Sequence, residues 1–461
     1  MKAGSHSMPE VCCEARATSH LVQIEVSPTH PLLLLKRALP WAAITEVMTR
    51  QWRQNGKNID GGPGLPWDVS LYVPLAVLML IKVFDSRQME AYLAENAVAR
   101  VFLGRYHDPQ AQIRDHSNIA RAYAALGKAG IDAVNHLVIK EAHRFGFVDE
   151  GSLSADTTAQ ELPIGYPNEP GILRGLAQRC GRALRRLHQW GVQGFDGALE
   201  QVQTIVRSVK AHHLFTSSKA DKREVLTRIM REVGALMVQT RPLVERLTTR
   251  SERVIQSARS CLIAMHEVIK PLMGQIVHWL VTGSVAPNKI VHVGIPQARA
   301  IVRNKAGKKT EFGLAYLLSR LGGGYLFGER IVANADERQM PLKALAGYRA
   351  IFGQEATPEL VVYDRGGDCT TTRQQLARAG VKHVGIHPKG QRPWSVAEAV
   401  REQIRSERGR TEGSIGTLKS NRYKFNKPKE RLWSTLEMAG PRSIVSFNLN
   451  KFMRDVVELS R

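Results

Sequence analysis

The run Leu360 to Tyr363 constrains what this chain can fold into more than any other feature. It is apolar throughout. Pro358 precedes it and Gly366–Gly367 follow, so it is too short for a helix and is bounded by turn residues. An apolar run without polar alternation reads as a strand buried on both faces, hence a parallel strand in a sheet covered by helices. It ends in Asp364. An ordinary Asx turn accounts for that aspartate taken alone.

The pattern around this strand supplies the rest of an α/β domain. Residues 150 to 158 read as a strand leading to Asp156, and YPNEPG (166–171) as a turn. A long helical stretch follows, from 172 to about 283. Lys289 to Val293 alternates apolar and polar positions and reads as a strand. Thr310–Leu318 and Tyr325–Val332 read as a hairpin turned by Gly322–Gly324. No following helix and no Lys-Ser/Thr make that triple glycine a phosphate loop. Helices are expected at 341–352, 369–379, 394–419 and 443–459, with a strand at 381–386. With the helical stretch set aside as an insertion (about 172–285), the order matches an RNase H-like mixed sheet. Asp156 then lies on the central first strand. Asp364 lies beside it at the C-terminal end of the fourth, where ligands collect in open α/β sheets.

Upstream, residues 30–148 read as an all-helical domain. Leu75, Leu78, Met79, Lys82 and Val83 fall at helical spacing, as do Ala91, Val98 and Phe102. The glycine-rich loop 55–68 breaks this region, and Asp85 or Ser86 is placed to cap a helix. Residues 1–29 show no periodicity and read as a loose tail. The catalytic unit is expected to span 149–461.

Composition narrows the partners. The 461 residues include 65 Lys and Arg against 42 Asp and Glu, a net charge of +23 that points to a polyanion, most simply nucleic acid. Between 174 and 260 the imbalance is 17 to seven, which fits either solvated bundle faces or a DNA-contacting insertion. The cysteines, at 12, 13, 180, 261 and 369, form no zinc-type spacing and no disulfide framework. The most apolar stretch, Leu71 to Phe84, is too short to span a bilayer and is interrupted by Pro74 and Lys82. A cytoplasmic location is the expectation.

A third carboxylate completes a candidate site. Glu412 lies in RSERGRTEGSIGTLK, with Arg408 four residues before it and Lys419 seven after, in one helical stripe. An exposed Arg–Glu pair accounts for part of this pattern by itself. Asp156, Asp364 and Glu412 together form a set of hard oxygen ligands suited to Mg²⁺ or Mn²⁺, as a two-metal phosphoryl-transfer site needs. Arg408, Lys419 and Arg365 are the candidate phosphate contacts.

These residues resemble those of the DDE transposases of bacterial insertion sequences, in the insertion-sequence-four and -five superfamily. The family's last-helix signature is Tyr, two residues, Arg, three residues, Glu, six residues, Lys. Arg408, Glu412 and Lys419 fit that spacing, while Arg405 stands where the Tyr is expected. DTTAQELPIGYPNEPGIL (156–173) resembles the family's first-aspartate block, KKTEFGLAYLL (308–318) its second strand, and residues 30–148 its N-terminal domain. The resemblance implies metal-dependent DNA cleavage and strand transfer, with Asp156, Asp364 and Glu412 holding two Mg²⁺. It implies duplex partners, the terminal inverted repeats and the target, bound by a homodimer or larger assembly. Two other classes remain open: a nuclease or resolvase of the same fold that does not join DNA, and a catalytically silent DNA-binding derivative. All three rest on phosphate contacts. Duplex affinity is therefore expected to fall by about 1,000-fold or more between 50 and 200 mM salt, the loss for roughly six phosphate contacts. A salt titration of binding by fluorescence anisotropy checks this, and a flat response excludes phosphates as the main source of affinity.

Overall fold

The computed structural model describes residues 25–60, 67–104, 115–215, 218–305, 308–390, 393–394, 396–430 and 432–461. Most of the expected N-terminal tail and the middle of the 55–68 loop lie outside the described residues.

Helices fill the described chain up to residue 148: α1 (Pro31–Ala38), α2 (Trp41–Gln54), α3 (Val69–Lys82), α4 (Ser86–Glu95), α5 (Ala97–Leu103), α6 (His116–Ala124) and α7 (Gly127–Arg144). Side-chain caps set several starts. Asp68 accepts from the Leu71 N–H, and Asp85 and Gln88 form a reciprocal capping box at α4. The spacing through Ala91, Val98 and Phe102 belongs to two helices, because Asn96 leaves helical geometry and caps α5 by accepting from Ala99 at 2.8 Å. No single helix among the described residues is long and apolar enough to cross a membrane; α3, apolar over most of its length, is buried within the protein.

Six strands form one mixed sheet: β1 (Asp149–Glu161), β2 (Arg299–Lys305), β3 (Lys308–Gly322), β4 (Leu326–Ile331), β5 (Leu360–Tyr363) and β6 (His383–Ile386). The order is β2-β3-β1-β5-β6. β2 pairs with the first part of β3, and β4 with the later part of the same edge. β1, β2 and β4 run antiparallel to β3, whereas β5 and β6 run parallel to β1. The triple glycine turns the β3–β4 hairpin with Gly323 and Gly324 at φ 84° and 95°, a region that L side chains avoid.

One expected strand is absent. Residues 289–293 form no strand; β2 begins at Arg299. The alternation there has another cause. Ile290 and Val293 enter the core of the helical insertion, while Val291 enters the core beneath the sheet. The segment is buried on two sides between two cores, which imitates the period of a strand.

The remaining helices are α8 (Glu169–Gln189), α9 (Asp196–Phe215), α10 (Lys219–Arg246), α11 (Arg253–Thr282), α12 (Met340–Phe352), α13 (Thr370–Arg378), α14 (Glu398–Leu418), α15 (Trp433–Leu436) and α16 (Ala439–Leu459). The insertion, α8 to α11, is a bundle with its own apolar core, built on residues such as Leu176, Ile205, Leu236 and Leu262. The Lys289–Glu169 ion pair ties its two ends together. On α8, Arg174, Arg182 and Arg185 are exposed along one stripe opposite the buried leucines.

The N-terminal helices share a core with the sheet. Trp52, Leu78 and Ile131 belong to the same buried cluster as Leu153, Leu317, Val361 and Phe452. The opposite face of the sheet is covered by α14: Ile415 and Leu418 meet Leu314 and Leu318, and Ile404 meets Leu360 and Val362.

α16 closes the open edge at β4. Asn448, fully buried, accepts from the Leu326 N–H at 2.8 Å and donates to both the Leu326 and Asn135 oxygens. One side-chain amide thus replaces the missing strand neighbour at that position. Asn448→Ala is expected to cost about 1–3 kcal/mol, because it leaves buried backbone groups without partners. A lowered urea midpoint with an unchanged denaturant slope checks this.

Candidate active site

The pairing of β1 with β5 brings two sequence-predicted carboxylates together. Ser152, Leu153 and Ser154 pair in parallel with Leu360, Val361 and Val362. Carried two residues further, that register sets Asp156 opposite Asp364. Side chains alternate along strands, so both aspartates share the face of Ser154 and Val362, which is the face toward α14. Both are half-buried. Asp364 also accepts from the Gly366 N–H at 2.9 Å, so it starts the one-turn helix 365–367 as an Asx cap.

The position of α14 follows from polar contacts in its middle. Glu407, 5% exposed, meets the Arg320 guanidinium of β3 at 2.6 Å, with Arg410 on its other oxygen at 2.8 Å. Burial lowers the Arg320 pKa, the Glu407 carboxylate opposes that shift, and Arg410 adds to it. One turn on, Thr411 Oγ1 stands 2.8 Å from the Ser154 hydroxyl.

Glu412 is the next residue. Its side chain is 67% exposed and 3.9 Å from Arg408. Asp156, Asp364 and Glu412 do not form a group whose ligand atoms all lie within 4.8 Å of one another. Among the described residues, the group of three whose ligand atoms all lie within 4.8 Å of one another is elsewhere, at Glu90, Asp115 and His116 on α4 and the start of α6. The structure therefore sets Asp156 beside Asp364, and Glu412 on the helix above the same strand.

Arg408 lines an open cleft of about 400 Å³ at the C-terminal ends of β5 and β6. Tyr363, Gly385 and His387 form its floor; Arg401, Arg405 and Arg408 form a wall, with the Trp394 ring tilted at 55° to that of His387, centroids 5.0 Å apart. Three guanidinium groups on one side of a cleft suit phosphate oxygens. Arg365 is exposed on the turn after Asp364, and Lys419 caps the far end of α14, outside the cleft lining. Sequence reasoning passed over Arg401 and His387, and treated Arg405 only as a departure from the signature. The signal for the cleft was the spacing of Arg401, Arg405 and Arg408, at four and seven residues along one helix.

No family model matches the chain, and neither a curated protein nor a solved structure matches it.

Arg320→Ala is expected to destabilise the fold by about 3 kcal/mol, since it leaves the buried Glu407 charge with only the exposed Arg410 opposite it. The double variant Arg320→Met/Glu407→Leu is expected to recover most of that loss, because two apolar groups need no desolvation offset. Urea unfolding of the three proteins checks both.

Proposed function

We propose that this chain is a DNA transposase of the kind its motifs resemble, cutting at the ends of an element and joining the freed 3′ ends to target DNA. The observation that carries this is the parallel register that, carried two residues on, sets Asp156 within β1 opposite Asp364 just past the end of β5. The strand order supports it: β4, β3, β1, β5 and β6, with β5 and β6 parallel to β1, is the order expected of an RNase H-like sheet.

The donor set fits a hard divalent cation. Asp156, Asp364 and Glu412 offer carboxylate oxygens alone, without thiol or imidazole, which suits Mg²⁺ or Mn²⁺. Bound there, such ions would activate the attacking oxygen and stabilise the leaving one. The chain's own residues do the positioning. Arg401, Arg405 and Arg408 hold phosphate oxygens along the cleft, and Arg365 meets the backbone next to Asp364. Lys419 and the stripe on α8 extend the basic surface, adding affinity without reading sequence. A homodimer or larger assembly would hold two element ends with a target duplex.

Glu412→Gln keeps the side chain's size and removes its charge. This variant is expected to bind element ends like the parent but to nick and join at least about 100-fold more slowly in Mg²⁺, as for loss of one transition-state stabilising group. Lys419→Ala is expected to weaken end binding while leaving metal binding intact. A labelled end-bearing duplex with a supercoiled target, scored for nicks and joined product, checks both. A parent that nicks but never joins would make the chain a nuclease. A Glu412→Gln variant with parental rates removes that residue from the site.

A further inference from the structure

The segment after α14, Lys419 to Lys429, holds five cations and no carboxylate. It is pinned to the sheet. Tyr423 and Phe425 are 1% and 0% exposed and enter the core between α14 and the sheet. Phe425 packs edge-on against Tyr316 of β3, with ring centroids 5.3 Å apart. Three hydrogen bonds tie the segment to the end of β1. The Gln160 amide donates to the Phe425 carbonyl at 2.9 Å, the Lys427 N–H to the Glu161 carbonyl at 2.7 Å, and the Glu161 N–H to Asn426 Oδ1 at 3.1 Å. Lys427 is held there at φ 51°, where glycine would be unstrained.

The buried rings sort the charges between them. Lys424 turns inward and donates to the Val83 carbonyl at 2.7 Å, and Glu430, the next acid, is turned in to Arg442 at 2.5 Å. Arg422, Lys427 and Lys429 are exposed, on a backbone that is already ordered. The Arg422 guanidinium donates to the Asn450 side chain at 2.9 Å. Tyr316 and Leu318 share one face of β3, and Leu318 pairs with Asp156, so this ridge lies on the same side of the sheet as the aspartates. From Asp156 to Glu161 along β1 is roughly 17 Å at the rise of a strand. On α14, between the ridge and Arg408, Gly413 and Gly416 leave open space where a Cβ would stand, which lowers the profile of the helix there.

We propose that Arg422, Lys427 and Lys429 form a second phosphate-binding surface, gripping the backbone of a DNA duplex that runs from the aspartates along α14. The role rests on the reading given under Proposed function. The spacing sets where the grip falls: roughly 17 Å is about five phosphates along one strand, at 3.4 Å each. The ordered backbone means that binding need not fix it again. An anionic membrane would engage apolar side chains set among the cations, whereas Tyr423 and Phe425 are turned into the core.

The test is binding of the full chain to a fluorescein-labelled duplex of about 30 base pairs, without metal, across a salt series. Lys427→Gln/Lys429→Gln removes two exposed charges and leaves the backbone bonds in place. It is expected to lower the slope of log affinity against log salt by about 1.8, two phosphates at about 0.9 each. Adding Arg422→Gln is expected to bring the loss to about 2.7. A merely structural role would lower the fraction of folded protein at every salt concentration and leave the slope alone. If the triple variant melts lower than the parent, the double variant decides. A parental slope in the double variant overturns the proposal. So does a parent that binds phosphatidylserine vesicles more tightly than the duplex and loses that binding in the double variant. Nicking of a supercoiled plasmid in Mg²⁺ separates the two levels. A parent that never nicks, with a slope that falls in the double variant, removes the transposase reading and keeps the ridge as a DNA contact. A parent that nicks, with a slope unchanged in the double variant, removes the ridge and keeps the reading.

Discussion

Arg320 reaches from β3 to Glu407 on α14 in a place that water scarcely enters, and the position of α14 over the strand ends follows from that pair. Taking two charges out of water costs several kcal/mol per ion, so the geometry must be good and further partners must help. Arg410 on the second Glu407 oxygen does so. The contacts of Ile404, Ile415 and Leu418 are apolar and tolerate sliding by a turn. The ion pair and the Ser154–Thr411 contact do not, because a shifted helix would leave buried polar atoms unmatched. The rotation of α14 is thus fixed, and with it the direction of Arg405, Arg408 and Glu412.

The two helical regions outside the sheet stand in different relations to it. The insertion carries its own core and is attached at its ends, so its sequence can vary without disturbing β1 or β3. The N-terminal helices share one buried cluster with the sheet, through α7 and α16. α16 contributes to both sheet faces, with Leu449 and Phe452 on one and Ile444 and Phe447 on the other. Asn448 between them satisfies the edge of β4. Removing the N-terminal helices would expose a face of the sheet's own core.

Some of the candidate site was legible in the chain. Asp364 follows a short apolar run bounded by proline and glycine and reads as a strand-end carboxylate, which it is; Asp156 reads the same way but lies inside β1, which continues to Glu161 because its pairing with β3 continues. Arg408 and Glu412 were legible as a helical pair. Glu407 and Glu412 are alike in sequence, both glutamates in one basic polar helix. In the fold one is buried in an ion pair with β3 and the other is exposed. Nothing local distinguishes them, since the difference lies in which face meets Arg320. The ridge at 422–429 was hidden for a similar reason. Its cations are plain in the chain, but which of them face outward depends on Phe425 meeting Gln160 across 265 residues.

The sequence by itself determined the local elements: the buried strand at Leu360–Tyr363, the glycine-turned hairpin, the caps at Asp68 and Asp85, and the apolar stripes of the helices. These depend on backbone sterics, side-chain hydrogen bonds within a few residues, and the period of burial. The same local signal misplaced a strand at 289–293, because a segment between two cores alternates as a strand does. Tertiary structure alone decided the β1–β5 register that pairs Asp156 with Asp364, the rotation of α14, the arginine wall and the placing of the 422–429 ridge. Each is a contact between residues far apart in the chain. Burial patterns specify which side chains leave water, but the partner each one meets is chosen by how whole elements pack.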